Sequence, residues 1–171
     1  FENAVVRIPI GIDINLFPLQ TPEMKENYRR HFKIPNFAFV IGSFQKDGDG
    51  WGEGNNPKLI KGPDIFLKTL RILKSKIPEL FVLLTGPSRG YVKTGLEKLK
   101  IPYIHHYPDE YSEIYKYYQT LDTYIVTSRE EGGPKAILES MASGVPLFST
   151  KVGQAQDLMR HGINGWLSES E

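Results

Sequence analysis

The residues with the clearest chemical potential surround position 134, where Glu131 and Glu139 stand with seven residues between them. Pro134 marks the start of a predicted helix, which places Glu131 in the loop before it and Glu139 in its second turn. Gly132 and Gly133 allow the backbone to approach a ligand closely. The unpaired amides of the first helical turn and the positive end of the helix dipole favour an anion such as a diphosphate.

Two side chains could complete such a site. The Glu139 carboxylate can accept hydrogen bonds from both hydroxyls of a ribose. Lys61 precedes Gly62 at the end of a glycine-rich stretch, and its compact charge could reach the same phosphates. These residue types together predict a ligand that carries both a ribose and a diphosphate.

The elements that must position these residues follow from the hydrophobic pattern. Short apolar runs alternate with helical patterns, which is typical of a parallel sheet covered by helices on both faces. The predicted fold is an α/β, Rossmann-like sheet of about six strands, and its ligands are expected at the carboxyl ends of the strands. The strands are predicted at residues 5–8, 37–42, 81–85, 103–105, 123–127 and 145–148.

Three amphipathic helices are predicted between the strands, over residues 63–78, 111–118 and 134–144. In the second of these, the stripe formed by Tyr111, Ile114, Tyr115 and Tyr118 is predicted to pack in the core. Residues 43–61 show no periodicity and are predicted to form an exposed, mobile loop.

Composition limits the remaining function classes. The 171 residues carry 21 basic and 20 acidic side chains, so a net charge of +1 gives no reason to expect a nucleic acid partner. The longest apolar runs, 37–41 and 80–84, are far shorter than the ~20 residues that a membrane crossing needs. Because cysteine is absent, disulfides and thiolate metal sites are excluded, and a reducing, cytoplasmic setting is expected.

A serine hydrolase is one alternative, because residues 86–90 read GPSRG after a predicted strand. Ser88 would be the nucleophile, and His161 follows in the order that such a triad uses. Pro87 and the lack of an oxyanion segment weigh against this alternative. A calcium loop at 47–58 is rejected because Lys58 stands where a carboxylate is required, and the histidines lack metal-ligand spacing, so no metal site is expected.

Residues 131–146 read EGGPKAILESMASGVP, and this stretch resembles the E-x7-E signature of retaining glycosyltransferases of family 4. Four further stretches are similar to motifs of that family in the same order: PIGID at 9–13, KGPD at 61–64, TKVG at 150–153 and HGING at 161–165. The resemblance implies the C-terminal lobe of a GT-B fold, the half that binds the nucleotide-sugar donor, here a UDP or GDP sugar.

The resemblance also implies a role for each site residue. Lys61 would contact the donor diphosphate, Glu139 would hold the ribose, and Glu131 would lie near the transferred sugar and support catalysis. Backbone amides from Gly133 to Ile137 would cradle sugar and phosphate, and the residues at the end of the 103–105 strand, about 105–107, would border the base. The donor-binding set is Lys61, Lys46, Gly132, Gly133, Lys135, Ala136, Ile137, Glu139, His105 and Tyr107.

The chain departs from the family pattern at two places that bear on the phosphates. An arginine expected after the glycine of the second strand is missing, since residues 42–46 read GSFQK. Either Lys46 takes over this phosphate contact, or the donor is held with one cation fewer. Pro134 removes one amide donor from the predicted phosphate site.

The activity implied by the resemblance is retaining transfer of a hexose from a nucleoside-diphosphate sugar, without a metal or other cofactor, in polysaccharide or glycolipid biosynthesis. Residues 1–171 are expected to form one donor-binding domain of a longer protein. The acceptor, a sugar or lipid-linked sugar, would bind through a lobe that is absent, so this fragment alone is expected to be inactive. Two questions stay open: attachment of the whole protein to the inner membrane face, and the alternative of a non-catalytic nucleotide-binding or scaffold module.

Overall fold

Six parallel strands form one sheet in the computed structural model, which describes residue 6 and residues 8–169. The strands are β1 (Phe39–Phe44), β2 (Leu80–Thr85), β3 (Tyr103–His105), β4 (Thr123–Val126), β5 (Leu147–Thr150) and β6 (Trp166–Ser168). Their order across the sheet is β3-β2-β1-β4-β5-β6, and every neighbouring pair is parallel. The direction of winding therefore reverses between β1 and β4, which is the position where open α/β sheets bind ligands.

Helices cover both faces of this sheet, as predicted. They are α1 (Pro22–His31), α2 (Pro63–Lys74), α3 (Gly90–Leu99), α4 (Ile114–Tyr118), α5 (Lys135–Ala142) and α6 (Ala155–Leu158), with short 3-10 helices at Ile14–Leu16, Leu59–Lys61 and Tyr111–Glu113. Val40 of β1 packs in one apolar cluster with α4 and α5, and the next residue, Ile41, packs in the other with α2 and α3. Successive strand residues are apolar because neither face meets water. None of the helices in the described residues is long and apolar enough to cross a bilayer.

The predicted strands agree with the structure to within two residues at every strand except the first. Of the predicted 5–8 strand, residues 5 and 7 lie outside the described part of the chain, and Val6 and Ile8 are not in a strand. The sixth strand of the sheet is instead β6, a three-residue edge strand. A strand of three residues has too short a hydrophobic pattern to be preferred over a longer apolar run when strands are predicted from sequence.

The predicted exposure of residues 43–61 is wrong for part of that stretch. Residues 47–58 form a compact unit, here called the 47–58 loop, in which the Lys58 amide donates to the Asp47 carbonyl at 2.8 Å. The Asp47 carboxylate pairs with Arg89 at 3.0 Å, and both side chains are fully buried. Burial raises the pKa of Asp47, although Arg89 opposes this shift. The partner lies far along the chain, so no local pattern predicts this burial.

Helix α1 is absent from the predicted elements. Its N-terminus is capped by Thr21, whose hydroxyl accepts the Met24 amide at 3.2 Å. On its inner side, Arg29 is buried and donates to the Thr120 carbonyl at 2.9 Å and to Asp122 at 2.6 Å. The helix is therefore fixed to the start of β4 by a buried cation as well as by apolar contacts.

Candidate functional site

A cleft of about 480 Å³ opens at the carboxyl ends of β1, β2 and β4, beside the N-terminus of α5. Seven of the predicted site residues line this one cleft: Lys46, Lys61, Tyr107, Glu131, Lys135, Ala136 and Glu139. The remaining walls come from the strand ends and the turns after β2 and β3. The structure thus brings together the lysine and the two glutamates, which are far apart in sequence.

Lys61 is placed by a close backbone approach at the next residue. Gly62 has φ +63°, and a Cβ there would lie 1.8 Å from the Thr127 carbonyl oxygen, so the position accepts only glycine. The Thr127 hydroxyl in turn donates to the Gly62 carbonyl at 2.8 Å. The turn that carries Lys61 is therefore pressed against the end of β4, at the cleft.

A second contact holds the same turn from outside. Arg129 forms a bidentate pair with Asp64 of α2, at 2.9 and 2.8 Å, and its amide donates to the Ile60 carbonyl at 2.8 Å. The Arg129 guanidinium holds the pKa of Asp64 below its ordinary value. This pair ties the loop after β4 to the start of α2, so Lys61 and Glu131 are positioned by one braced unit.

Lys61 and Glu131 meet directly in the cleft. The lysine Nζ lies 2.6 Å from Glu131 Oε1, and the Ser128 hydroxyl donates to the same oxygen at 2.9 Å. The two charged side chains keep 25% and 11% of their exposure. An ammonium has three donors, so Lys61 can bind a further anion beside Glu131 or exchange one for the other.

The backbone at the start of α5 offers the predicted amide donors. Among the described residues, the amides of Gly132, Gly133, Lys135 and Ala136 donate to no protein acceptor. The Ile137 amide is different, because it donates to the Pro134 carbonyl at 3.1 Å while its side chain is buried in the core. Three of the four amides predicted between Gly133 and Ile137 are therefore available to a ligand, as is that of Gly132, and the Ile137 amide is not.

Glu139 is held by two tyrosines whose contact with it was not predicted from the sequence. Tyr111 donates to Oε1 at 2.6 Å and Tyr118 donates to Oε2 at 2.8 Å, and the carboxylate is only 5% exposed. Burial and the carboxylate raise the pKa of both tyrosines, which keeps them as donors. Each carboxylate oxygen has a second lone pair, so Glu139 can still accept two hydroxyl groups.

The prediction that the aromatic stripe packs in the core is correct for Tyr118 and wrong for Tyr111. Tyr118 is fully buried, whereas Tyr111 is 48% exposed and lines the cleft. The physical reason is that Tyr111 lies in a 3-10 turn ahead of α4 instead of in the helix itself. Its ring also lies 5.1 Å from the Lys135 ammonium.

The other predicted residues divide between the cleft and its surroundings. Lys46 lines the cleft, and its ammonium lies 3.6 Å from the ring centre of Trp51. Gly132 borders a shallow depression that shares Lys61 and Glu131 with the cleft. His105 is not part of the cleft lining. Its Nε2 lies 2.7 Å from the Gly86 carbonyl, and burial lowers its pKa.

The geometry around Ser88 does not favour a hydrolase. Its hydroxyl donates to the carbonyls of Gly52 and Gly50, at 2.9 and 3.2 Å. The Nδ1 atom of His161 is hydrogen-bonded to the backbone of Leu167. In the described part of the chain, no histidine is hydrogen-bonded to Ser88, so the hydroxyl lacks the general base that a nucleophile needs.

The sequence and the fold of this chain are similar to those of known proteins. The profile of the family described as glycosyl transferases group 1 matches residues 57–171. A D-inositol 3-phosphate glycosyltransferase of Corynebacterium urealyticum is 27% identical over 100% of this chain and 41% of its own length. The chain thus spans less than half the length of this relative.

Solved structures also resemble the chain. HepE of Anabaena in complex with UDP-glucose gives a TM-score of 0.69 at 25% identity, covering 94% of this chain and 43% of that one. The C-terminal domain of LpcC, a glycosyl transferase group 1 family protein of Francisella tularensis, gives a TM-score of 0.73 at 20% identity. That match covers 94% of this chain and 81% of the other, and it concerns the fold alone.

Proposed function

Because this chain belongs to the glycosyl transferases group 1 family, we propose that it is the donor-binding lobe of a retaining, family 4 hexosyltransferase with a GT-B fold. The donor is a nucleoside-diphosphate sugar. The acceptor, a sugar or lipid-linked sugar, binds mainly through a second lobe outside these residues, and the donor-binding lobe alone transfers nothing. A UDP sugar is the first candidate, since HepE, a neighbour of the same fold, binds UDP-glucose.

The observation that carries this proposal is that Lys61, Glu139 and the residues with open amides at the start of α5, Lys135 and Ala136, border one cleft. A diphosphate beside Lys61 takes up the ammonium donors that Glu131 does not use. The amides of Gly132, Gly133, Lys135 and Ala136 and the dipole of α5 add partial positive charge on the same side. The ribose hydroxyls then reach Glu139, whose carboxylate is already oriented by its two tyrosines.

These groups also account for the chemistry of the leaving diphosphate. As the sugar–phosphate bond breaks, negative charge grows on the phosphate oxygens, and fixed donors stabilise it without moving. Lys61 and the amides are such donors. Glu131 lies 2.6 Å from Lys61, and in this proposal it faces the transferred sugar. Retention of configuration at the transferred sugar is explained if the acceptor attacks from the side on which the diphosphate leaves. The leaving diphosphate then helps to deprotonate the acceptor.

A melting-temperature screen of the chain with UDP, GDP, ADP and their sugars tests donor binding. A ligand that binds only the folded form raises the melting temperature, so at least one nucleoside diphosphate should do so, UDP first. No shift with any of them would contradict the proposal.

Replacing Glu131 by Ala in the whole protein tests the catalytic part. Turnover should fall while nucleotide binding survives, since Glu131 supports the reaction more than the binding. Unchanged turnover would favour the scaffold alternative.

A further inference from the structure

The 47–58 loop contains a tryptophan, Trp51, that the proposed donor site does not use. Trp51 is 86% exposed, and one face of its indole is covered by the Lys46 ammonium at 3.6 Å. Because Lys46 also lines the cleft, the ring stands at the cleft rim with its other face open. A large aromatic surface is therefore exposed beside the proposed donor cleft.

The loop that presents Trp51 is anchored, so this exposure is a fixed property of the fold. The buried Asp47–Arg89 pair holds one end. The Gly90 amide donates to the Glu53 carbonyl at 2.7 Å, and the Ser88 hydroxyl binds the carbonyls on both sides of Trp51. Cβ atoms at Gly48 and Gly54 would lie 2.4 and 2.2 Å from the Ser88 carbonyl oxygen, so loop and turn are in direct contact.

The anchoring also carries a conformational cost. Ser88 has φ +56°, a left-handed conformation that is strained for a non-glycine residue. This conformation directs its hydroxyl to the Gly50 and Gly52 carbonyls on either side of Trp51. The fold therefore maintains strain at one residue while it holds the tryptophan in place.

The surroundings of Trp51 select the chemistry of its ligand. Its neighbours in the loop are glycines and exposed polar side chains, Asp49, Glu53, Asn55 and Asn56, with no apolar partner for a hydrophobic protein surface. The two carboxylates disfavour an anionic membrane surface. An exposed aromatic face on a loop of hydrogen-bonding side chains suits a pyranose, whose C–H face packs on a π surface while its hydroxyls bind such side chains.

We propose that Trp51, fixed by Lys46 on one face, is a stacking platform for a pyranose ring of the acceptor saccharide, held at the rim of the donor cleft. This deepens the proposed function, since the platform places the attacking sugar beside the transferred one. Because the Asp49 and Glu53 carboxylates repel anionic sugars, the platform is expected to bind neutral saccharides.

Saturation-transfer NMR on the full chain tests the platform without any nucleotide. The probes are methyl β-D-glucopyranoside, methyl α-D-mannopyranoside and methyl β-D-galactopyranoside, with D-sorbitol as an acyclic polyol that offers hydroxyls but no ring. At least one pyranoside should give a signal at its axial C–H protons, and sorbitol should not. Trp51→Ala should weaken that signal about five-fold, as expected for loss of one aromatic contact.

Matched variants keep the test interpretable. Trp51→Phe retains a ring and should retain part of the signal. Trp166→Phe changes the chain's other tryptophan, stacked on Phe148, and should leave the signal unchanged. The proposal is overturned if no pyranoside binds, if sorbitol binds as well as the pyranosides, or if Trp51→Ala binds like wild type. Nucleotide melting shifts are measured on the wild-type chain in parallel, so failure of the donor site would be seen separately.

Discussion

Two ion pairs stand near the same edge of the sheet, and they differ in what surrounds them. Asp47–Arg89 is closed from water, at 0% exposure on both sides, whereas Lys61–Glu131 keeps 25% and 11%. The Nη1 group of Arg89 also donates to the carbonyls of Ser43 and Thr85, at 2.6 and 2.7 Å, so these donors are used within the fold. Lys61 has donors to spare.

The difference separates a structural pair from one that can serve a ligand. A buried pair is costly to break because the remaining charge loses its partner in a low dielectric. A partly exposed pair keeps access to water and to anions, so either partner can be exchanged. Breaking each pair should therefore change different quantities: stability for the first, binding for the second.

The largest expected effect is on the buried pair. Arg89→Met should lower the free energy of unfolding by about 3–5 kcal/mol, because Asp47 and the carbonyls of Ser43 and Thr85 all lose a buried partner. Urea denaturation measures this loss. Lys61→Met is the matched control from the exposed pair and should cost about 1 kcal/mol or less. Equal losses for the two variants would remove the distinction.

The two tyrosines on Glu139 extend the comparison to hydroxyl groups. Tyr118→Phe should cost about 1.5–3 kcal/mol of stability, since it removes a buried hydrogen bond to a charged group. Tyr111→Phe should cost less, about 1 kcal/mol, because water can replace a hydroxyl at the cleft wall. Thermal or urea unfolding of both variants measures the difference, and the reverse order would contradict the roles assigned here.

Nucleotide affinity should respond to the exposed pair. Lys61→Ala should weaken binding of a nucleoside diphosphate by about 1–3 kcal/mol, the range for a lost hydrogen bond to a charged group. Lys58→Ala is the matched control, since Lys58 is an exposed lysine three residues earlier that lies outside the cleft lining. Calorimetry on both variants decides the matter, and equal weakening would indicate a general charge effect.

The smallest expected effect concerns Asp64 and pH. Arg129 holds the pKa of Asp64 below its ordinary 3.8, so the pair stabilises the folded chain above about pH 4 and the contribution is lost as pH falls below it. The pair is partly exposed, so about 0.5 kcal/mol is expected at neutral pH. Asp64→Asn should be less stable than wild type at pH 7 and should approach it near pH 3. A constant difference across that range would contradict this origin.

Local patterns in the sequence were sufficient to predict five of the six strands, α2, α5 and the convergence of Lys61, Glu131 and Glu139. Apolar runs, helical spacing, and proline and glycine at element ends act over a few residues, so they can be read directly. The Asp47–Arg89 pair and the two tyrosines on Glu139 could not be predicted, because they join distant positions. Side-chain pairing over such separations follows from packing and leaves no periodic trace.

The central claim is that Lys61 meets the diphosphate and Glu139 meets the ribose of one bound nucleotide. Calorimetry of wild type, Lys61→Ala and Glu139→Gln with a nucleoside diphosphate, its monophosphate and its 2′,3′-dideoxy form tests this most directly. Lys61→Ala should lose about 1–3 kcal/mol with the diphosphate and much less with the monophosphate. Glu139→Gln should weaken binding of the diphosphate and leave binding of the dideoxy form unchanged. Equal losses for all three ligands, or no binding to wild type, would contradict the claim.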